Sequence, residues 1–481
     1  MHGPTILKVV GALLVLIGLA QGIPALTSFL YGEHDWVHFS RSGLAAAAIG
    51  AALVLATRRA RELSLRDGFV VVTVAWITAC IASAVPLYTT DAVPTFVDAI
   101  FESMSGYTTT GSSVISDFSR LSHGVLLWRS LIQWFGGLGI ILLGLAILPA
   151  LGVGGMQLYQ REVTGPYHDK LTPRLRDTAK ALWTVYVLLT AAEAMILHTL
   201  GMTPFEAINH ALTTLATGGF GTRADSISSF GPAVEWAIAA FMFLGGMNFA
   251  LHYRMLTDPS RGWQIFRDIE WRWYAGAVVL FSLGVSWHLM TALHYDPFKA
   301  LTKGTFQVVS MMTTTGYASD NYVVWGGFPQ VILVYCMLAG GCAGSTGGGM
   351  KWVRILLIFK NARLSMLRLI HPNVVRRPKI NDVPVTEEIQ SNIGGFVFLY
   401  FVSLGAITLL LTADGLSMQT AFGAAATALG NVGPGLESLG PVESFAWLSP
   451  QAKLILTAAM LMGRLELMTV LMVIVPRTWR G

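Results

Sequence analysis

The sequence predicts an all-α polytopic membrane protein, built from four repeats and two extra N-terminal transmembrane helices. Two properties of the composition indicate the membrane class. Only 12% of the 481 residues are charged and 53% are hydrophobic, whereas a soluble domain carries about 25% charged residues. Several apolar stretches also reach the roughly 20 residues that are needed to cross a bilayer core. The number of repeats comes from a third observation, a glycine-centred segment that recurs along the chain.

Apolar runs predict ten spans along the chain. Two come first, near 5–30 and 42–57. Eight follow, near 68–88, 125–152, 178–200, 231–252, 273–294, 328–358, 391–412 and 450–475. The first run is too long for a signal-peptide core and shows no convincing small-residue cleavage site, so we expect it to remain as a span.

Basic residues predict how these spans are oriented. They follow spans two, four, six and eight, for example at Arg58, Lys180, Arg254 and Arg363. Because basic loops stay on the cytoplasmic side, these loops and both termini are expected to face the cytoplasm. The loops also explain the net charge of +5, so nucleic-acid binding is not expected. The three cysteines lie in apolar text without metal-ligand spacing, which argues against a disulfide framework or a zinc site.

From the third span onward, every non-basic loop contains a short apolar segment followed by a glycine-centred polar stretch. One of them reads TTTGYASD at 313–320, and related text occurs at 108–114 and 215–222. A small residue lies twelve positions before each central glycine, in the pairs Ala99 and Gly111, Ala207 and Gly219, Gly304 and Gly316, and Ala421 and Gly433. Ordinary external turns have no need to keep such a register, so the spacing indicates a fourfold internal repeat.

The repeat unit is therefore a span, a short helix, a glycine loop and a second span. The units are expected at 66–152, 176–256, 270–362 and 388–481, after an N-terminal two-helix segment at 1–60. A segment of about 12 apolar residues is too short to cross a bilayer and is typical of a re-entrant element. Irregular backbone at membrane depth survives only where it is buried in protein or lines a watery cavity. Four such loops around one pore would supply a ring of carbonyls that replaces the hydration shell of an alkali cation.

This repeat resembles that of the TrkH, TrkG and KtrB potassium-translocating subunits, which are related to plant HKT and fungal Trk transporters. The resemblance covers almost the whole chain, and the two extra spans and the text GGCAGSTGGGMK at 340–351 are most similar to the TrkH/TrkG branch. It implies a potassium uptake subunit of a bacterial inner membrane, with K⁺ as the transported ion and one pore within each protomer. It also implies a homodimer and a cytosolic regulatory ring of the TrkA type, which binds NAD or ATP.

The resemblance also places a potassium filter. Its glycines are Gly111, Gly219, Gly316 and Gly433, and the residues before them are Thr109, Thr110, Thr217, Gly218, Thr314, Thr315, Asn431 and Val432. Potassium contacts are expected at Thr110, Gly111, Gly218, Gly219, Thr315, Gly316, Val432 and Gly433. In this family a serine at the first glycine goes with sodium permeation, so the four glycines favour potassium. The unequal flanking residues predict weaker discrimination than four identical loops would provide.

The eighth span contains a stretch that is unsuited to a continuous helix. Six glycines lie between positions 340 and 349, and each costs about 1 kcal/mol relative to alanine in a helix interior. A phosphate loop is excluded because Met350 separates the glycines from Lys351. Close packing of small residues is one alternative. The resemblance favours an intramembrane loop that blocks or opens the pore, with the gate residues Gly344, Ser345, Thr346, Gly347 and Lys351.

Arg464 lies inside the last span, where an ionisable side chain is costly and is therefore a functional candidate. The resemblance identifies it with an arginine beside the pore that would repel cations below the filter. The alternative is a structural ion pair with a carboxylate on another span. Four acids that follow the filter glycines either gather cations at the outer mouth or are ordinary solvated residues: Asp117, Asp225, Asp320 and Glu437.

Cation flux driven by concentration and membrane potential is the function that these features favour. No ATP-binding motif is visible, so the chain itself is not expected to bind a nucleotide, and a regulatory partner would dock on cytoplasmic segments near 159–180 and 364–388. The alternative is a coupled secondary transporter, either a K⁺/H⁺ or K⁺/Na⁺ symporter or an organic-anion carrier. An enzyme is not expected, because no convergent Ser/His/Asp or His/Glu cluster is visible within the spans.

Overall fold

The structure is a computed structural model that describes residues 3–58, 65–146, 171–257, 259–374, 376–381 and 383–474. The N-terminal segment consists of the helices Gly3–Ala20, Gly22–Leu30 and Trp36–Ala56. Glycines let the first and third of these helices approach closely. A Cβ atom added to Gly11 would lie 2.8 Å from the carbonyl oxygen of Gly50, and the same close approach occurs between Gly18 and Gly43. Small residues at such contacts are typical of helix packing in membranes.

Four units follow, and each contains a long helix, a short helix and one or two further helices. The first unit contains Leu65–Thr89, Phe96–Tyr107 and His123–Ala146. The second contains Leu171–Thr199, Pro204–Leu215, Pro232–Gly245 and Phe249–Thr257. The third contains Ile269–Ala292, Pro297–Met312, Gly327–Ala339 and Trp352–Ile370. The fourth contains Glu387–Ala413, Met418–Gly430, Pro450–Arg464 and Leu467–Ile474. We call the short second helix of each unit its pore helix.

Minor elements connect these helices. The 3₁₀ helices are Phe118–Arg120, Pro259–Arg267, Tyr322–Trp325 and Glu437–Leu439. The strands Lys379–Ile380 and Val383–Pro384 pair antiparallel, with Lys379 opposite Pro384. The remaining regular structure in the described ranges is helical, which agrees with the all-α prediction.

Among the described residues, seven helices are long and apolar enough to cross a membrane. They are Gly3–Leu30, Trp36–Ala56, Val70–Thr89, His123–Ile141, Asp177–Thr199, Ile269–Ala292 and Glu387–Ala413. Two more candidates are sharply bent pairs. Pro232–Gly245 meets Phe249–Thr257 at 97°, and Pro450–Arg464 meets Leu467–Val473 at 116°.

The prediction of ten spans is therefore corrected at two places, and the predicted break in the eighth span is present. Predicted spans six (231–252) and ten (450–475) break at 246–248 and 465–466, and predicted span eight (328–358) breaks at 340–351. The glycine run predicted only the last of these breaks. The breaks at 246–248 and 465–466 occur within apolar stretches of the sequence. The break at 465–466 is marked by a left-handed backbone at Glu466, with φ 62°. The predicted segments 147–152 and 475–481 lie outside the described residues.

Local sequence explains where the pore helices begin. Thr95, Thr203 and Ser417 each accept a hydrogen bond from a backbone N–H in the first turn, as does Asp296 in the third unit. Thr203 also forms a reciprocal capping box with Glu206. Such caps satisfy backbone donors that have no partner within the helix. The four pore helices thus start at defined positions, which fixes where their other ends and the following glycines lie.

The core has two principal parts. One joins the N-terminal helices with the first and fourth units, and includes Trp128, Phe101 and Leu456. The other joins the second and third units, and includes Tyr274 and Phe306. Residues next to the glycine loops belong to both parts, with Val114 in the first and Tyr317 and Val432 in the second.

Candidate functional site

Each pore helix ends three or four residues before a central glycine. In every loop that glycine and the residue two positions before it have left-handed backbone, with φ between 52° and 113°. The residues two positions before are Thr109, Thr217, Thr314 and Asn431. Left-handed backbone costs about 1–3 kcal/mol for residues other than glycine, and it persists where the surrounding structure enforces it. The same strain at four equivalent positions marks these loops as a functional candidate.

The four loops meet in a closed ring. Each central glycine faces the carbonyl oxygen of the residue before the central glycine of the next loop. The glycine and oxygen pairs are Gly111 with Gly218, Gly219 with Thr315, Gly316 with Val432, and Gly433 with Thr110. A Cβ atom added to any of these glycines would lie under 3.0 Å from that oxygen. Glycine is therefore required at each position for two reasons: φ is positive, and the backbone of the next loop approaches closely.

The carbonyls of the ring are not equivalent. Gln133 Nε2 donates to the Gly218 carbonyl at 2.6 Å, and Gln133 Oε1 accepts from the Phe220 N–H at 3.1 Å. Ser112 Oγ donates to the Gly433 carbonyl at 2.8 Å. Two of the eight predicted potassium contacts thus already accept a hydrogen bond from a side chain. The residues before the central glycines differ between the loops in the sequence, and in the structure the side-chain donors to the loop carbonyls differ as well.

Asn431 replaces threonine in the fourth loop. Its Nδ2 donates to Thr110 Oγ1 at 3.0 Å and to the Met460 carbonyl at 2.8 Å. The equivalent threonines of the second and third loops have other partners, since Thr217 Oγ1 donates to the Ala216 carbonyl and Thr314 Oγ1 accepts from the Gly348 N–H. Asn431 therefore links the fourth loop to its neighbour in the ring, the first loop.

A buried aromatic residue supports the third loop from behind. The side chain of Tyr317 is fully buried, and its hydroxyl lies 2.9 Å from His210 Nδ1 and shares a hydrogen bond with Thr213. His210 Nε2 also lies 3.2 Å from Thr222 Oγ1. His210 is thus a partnered core residue that links the second pore helix to the third loop.

One side of the ring opens into a vestibule of about 220 Å³ that all four central glycines line. Its charged lining residues in the described ranges are Arg129, Arg223 and Glu443. None of the four acids that follow the glycines lines it, so their proposed role in gathering cations gains no support from this geometry. The C-terminal ends of the pore helices, which carry partial negative charge, do not line this vestibule, and they lie where the predicted gate loop contacts them.

The acids are engaged locally instead. Hydrogen bonds from Ser417 and Thr420 lower the pKa of Glu437, and hydrogen bonds from Ser119 lower the pKa of Asp117. Asp320 accepts from the Tyr295 hydroxyl at 3.0 Å and from the Asn321 N–H at 2.8 Å. These contacts fit the interpretation of ordinary loop acids.

The predicted gate loop, residues 340–351, lies directly beneath the ring. Thr346 Oγ1 donates to the Leu215 carbonyl at 3.0 Å, at the end of the second pore helix. A Cβ atom at Gly347 would lie 3.1 Å from the Thr313 carbonyl, and one at Gly348 would lie under 3.0 Å from the Gly430 carbonyl. The loop therefore touches the ends of three pore helices.

The loop is also held by the ring and by the helix break at 246–248. The Gly348 N–H donates to Thr314 Oγ1 at 2.7 Å, which is a direct link to the ring. Gly344 O accepts from the Phe249 N–H at 3.0 Å, and Gly246 O accepts from the Cys342 N–H at 2.8 Å. Ser345 acts within the loop, since its Oγ donates to the Cys342 carbonyl at 2.6 Å.

Arg464 reaches this loop from the fourth unit. Its Nη1 donates to the Thr346 carbonyl at 2.6 Å and its Nη2 to the Gly136 carbonyl at 3.1 Å. Within the described part of the chain Arg464 forms no salt bridge, while Glu466 pairs with Arg354. The alternative of an ion pair between Arg464 and a carboxylate is therefore not what the structure shows. Its guanidinium fastens the centre of the loop to the first unit.

Lys351 has a different place from the other predicted gate residues. Its N–H donates to the Ala339 carbonyl at 2.8 Å, so it closes the base of the loop and precedes the helix Trp352–Ile370. Beside it, Glu270 Oε1 accepts from the N–H groups of Ala343 and Val353 at 2.7 and 3.0 Å. Sequence reasoning missed Glu270. The feature that could have identified it is a carboxylate at the start of the apolar helix Ile269–Ala292.

Sequence reasoning also missed Arg129 and did not predict its partner. Arg129 Nε donates to Glu102 Oε1 at 2.9 Å, and both side chains are almost fully buried. The signal was an arginine near the start of the apolar helix His123–Ala146. An ionisable residue inside a span is a functional candidate by default.

Comparisons with known proteins agree with this architecture. A family model described as TrkH, cation transport protein, matches residues 37–479. The chain is 40% identical to the Trk system potassium uptake protein TrkH of Escherichia coli strain K12 and 39% identical to that of Salmonella typhimurium, with full coverage of both chains. The crystal structure of the potassium transporter TrkH from Vibrio parahaemolyticus is similar over the full length of both chains, with a TM-score of 0.92 and 36% identity.

Proposed function

The chain belongs to the TrkH family of cation transport proteins, and from this premise we propose that it conducts K⁺ through the ring of glycine loops. Its role is transport rather than catalysis. The relatives are named potassium uptake proteins, and the closed ring of carbonyls is the single observation that carries the proposal for this chain. Potassium and rubidium would pass, and sodium would pass less readily.

The ring supplies what a dehydrated cation needs. Removing water from an ion is costly in an apolar medium, by tens of kcal/mol. Carbonyls of Thr110, Gly218, Thr315 and Val432 stand between adjacent loops, where they would take the place of water. The predicted contacts at the central glycines and the preceding residues belong to this proposal. Flow would follow the electrochemical gradient of K⁺.

The loop at 340–351 would act as the gate. It contacts the ends of three pore helices, and its hydrogen bonds involve Thr346, Arg464 and Thr314. In this position the loop would block the path, and conduction would require it to leave the ends of the pore helices. The charge of Arg464 would add an electrostatic barrier to cations at the same level.

The proposed function also implies a membrane location, an oligomeric state and a partner. We place it in a bacterial inner membrane as a multi-pass protein with both termini in the cytoplasm and one pore in each protomer of a homodimer. A cytosolic ring of the TrkA type would supply nucleotide dependence. Its docking surface would include the segment 364–388, where Arg368, Arg376 and Arg377 lie exposed at the end of a long helix and beyond it. The other predicted docking segment, 159–180, lies largely outside the described residues.

Flux measurements in proteoliposomes test the proposal. Purified wild-type protein should transport K⁺ and Rb⁺ faster than Na⁺, and an imposed negative potential inside should increase uptake. Transport that requires a pH or sodium gradient would instead indicate a coupled symporter. Absence of both K⁺ and Rb⁺ flux, in the presence of an activating partner, would contradict the conduit.

Gly111→Ser tests the assignment of the filter. A serine Cβ would lie too close to the Gly218 carbonyl, and φ is +85° at this position. We expect the ratio of K⁺ to Na⁺ flux to fall by about tenfold, since a loss of ~1.4 kcal/mol in discrimination corresponds to that factor. If the ratio stays at the wild-type value, the assignment of the first loop to the filter is wrong.

A further inference from the structure

A buried ion pair lies beside the first and second filter loops. Glu102 projects from the first pore helix and Arg129 from the helix that follows it, and their side chains are 0% and 1% exposed. Each carboxylate oxygen of Glu102 lies close to Ser113 Oγ, at 2.9 and 3.1 Å, and Oε2 also accepts from the Val114 N–H at 2.9 Å. Glu102 therefore holds the segment that follows Gly111, at Ser113 and Val114.

Arg129 extends this contact to the second loop. Its Nη1 donates to the Gly221 carbonyl at 3.2 Å, and its Nη2 donates to Ser113 Oγ at 3.3 Å. Its guanidinium also stacks over the ring of Phe220, 4.1 Å from the centroid. Phe220 and Gly221 follow Gly219 directly in the sequence. One planar guanidinium thus bridges two adjacent loops, which is a geometry that lysine cannot reproduce.

The other junctions between the units are held by different groups. Lys303 Nζ pairs with Glu235 at 2.6 Å and donates to the Ser319 carbonyl at 2.9 Å, which joins the second and third units. Between the third and fourth units, the Tyr322 hydroxyl donates to the Gly435 carbonyl at 2.5 Å. Only at the first junction, among the described contacts, does one buried ion pair hold two filter loops on both sides.

We propose that Glu102 and Arg129 are positioning residues that fix the separation of the first and second filter loops and thereby set the discrimination between K⁺ and Na⁺. The proposal rests on the function proposed above. Neither residue would touch the ion. Na⁺ is smaller than K⁺ and needs closer carbonyls, so a ring that can relax inward at this junction would accept it more readily. The ion pair resists such relaxation because both partners are buried and their hydrogen bonds are shared between the loops.

The first pore helix offers a matched control. Asp98 lies one helical turn before Glu102, is also buried, and pairs with Lys453 at 2.7 Å. Lys453 also donates to the Ala446 carbonyl at 2.8 Å. This pair joins the first and fourth units and contacts no residue of the filter loops. Neutralising Asp98 removes a buried charge from the same helix but leaves the two filter loops linked.

The experiment compares Glu102→Gln, Arg129→Lys and Asp98→Asn with the wild type. The K⁺ and Na⁺ fluxes are measured in proteoliposomes, and thermal unfolding is measured on the same preparations. We expect Glu102→Gln and Arg129→Lys to lower the K⁺ to Na⁺ flux ratio by about tenfold, equivalent to ~1.4 kcal/mol. Asp98→Asn should lower the unfolding temperature and leave the ratio unchanged.

Arg129→Lys keeps the positive charge opposite Glu102, so it decides the matter if Glu102→Gln fails to fold. A wild-type ratio in Arg129→Lys, or an equal loss of ratio in Asp98→Asn, would overturn the positioning role and leave the pair as a structural element only. A wild-type protein without K⁺ flux would instead overturn the proposed function, so the two failures are distinguishable.

Discussion

Replacing Gly316 by alanine is expected to reduce K⁺ flux by about a hundredfold, the factor that corresponds to ~2.7 kcal/mol. Gly316 has φ +81°, and a Cβ atom there would overlap the Val432 carbonyl and approach Pro434 Cδ to 2.9 Å. Both obstacles are backbone or ring atoms, which cannot rotate away as the end of a flexible side chain can. The added methyl group would therefore displace a carbonyl that the ion needs.

Gly415→Ala is the matched control for this substitution. Gly415 has φ +100°, so alanine meets the same unfavourable backbone region, but nothing lies within 4 Å of the added Cβ. The two variants share the conformational penalty, about 1 kcal/mol or more, and differ in the clash. The control should unfold at a slightly lower temperature and conduct K⁺ like the wild type.

The measurement is Rb⁺ or K⁺ uptake into proteoliposomes at equal protein density, with size-exclusion chromatography to verify folding. Folded Gly316→Ala protein with wild-type uptake would remove the third loop from the filter. Equal losses in both variants would attribute the effect to backbone strain rather than to the ring.

Arg464→Met is expected to increase basal K⁺ flux by about tenfold, as the loss of ~1.4 kcal/mol of restraint on the closed loop would do. The substitution keeps a long side chain and removes the two hydrogen bonds, to Thr346 O and Gly136 O, that fasten the loop to the first unit. It also removes a positive charge from beneath the ring. Both changes lower the barrier to a cation, so they act in the same direction.

Thr457→Val serves as the control on the same helix. The hydroxyl of Thr457 donates within the helix to the Lys453 carbonyl at 2.7 Å and does not contact the gate loop. Basal flux without any regulatory partner should rise in Arg464→Met and stay at the wild-type rate in Thr457→Val. A folded Arg464→Met protein whose basal flux is unchanged or lower would show that Arg464 does not hold the loop closed.

The sequence predicted the features that depend on local composition. Apolar length identified the membrane class and the seven long apolar spans of the described ranges, because a helix that crosses a bilayer needs about 20 apolar residues and must satisfy its own backbone there. The twelve-residue spacing located Gly111, Gly219, Gly316 and Gly433, since a short helix of fixed length delivers the chain to each loop. The glycine run at 340–349 predicted a break in a span, because glycine destabilises a helix interior.

The features that sequence reasoning missed depend on which elements meet in three dimensions. Arg464 and Thr346 are 118 residues apart, and Ser112 and Gly433 are 321 residues apart. No local pattern states that these groups form hydrogen bonds. The same holds for the break at 246–248, where the Gly246 carbonyl and the Phe249 N–H form hydrogen bonds with the gate loop.

The amino-acid sequence by itself thus determined the class, the glycines and the register of the four loops. Only the tertiary structure decided that the loops close into a ring, that Gln133 and Ser112 make its carbonyls unequal, and that Arg464 binds carbonyls instead of a carboxylate. The physical reason is that a buried polar group must be paired, while the identity of its partner depends on how the units pack.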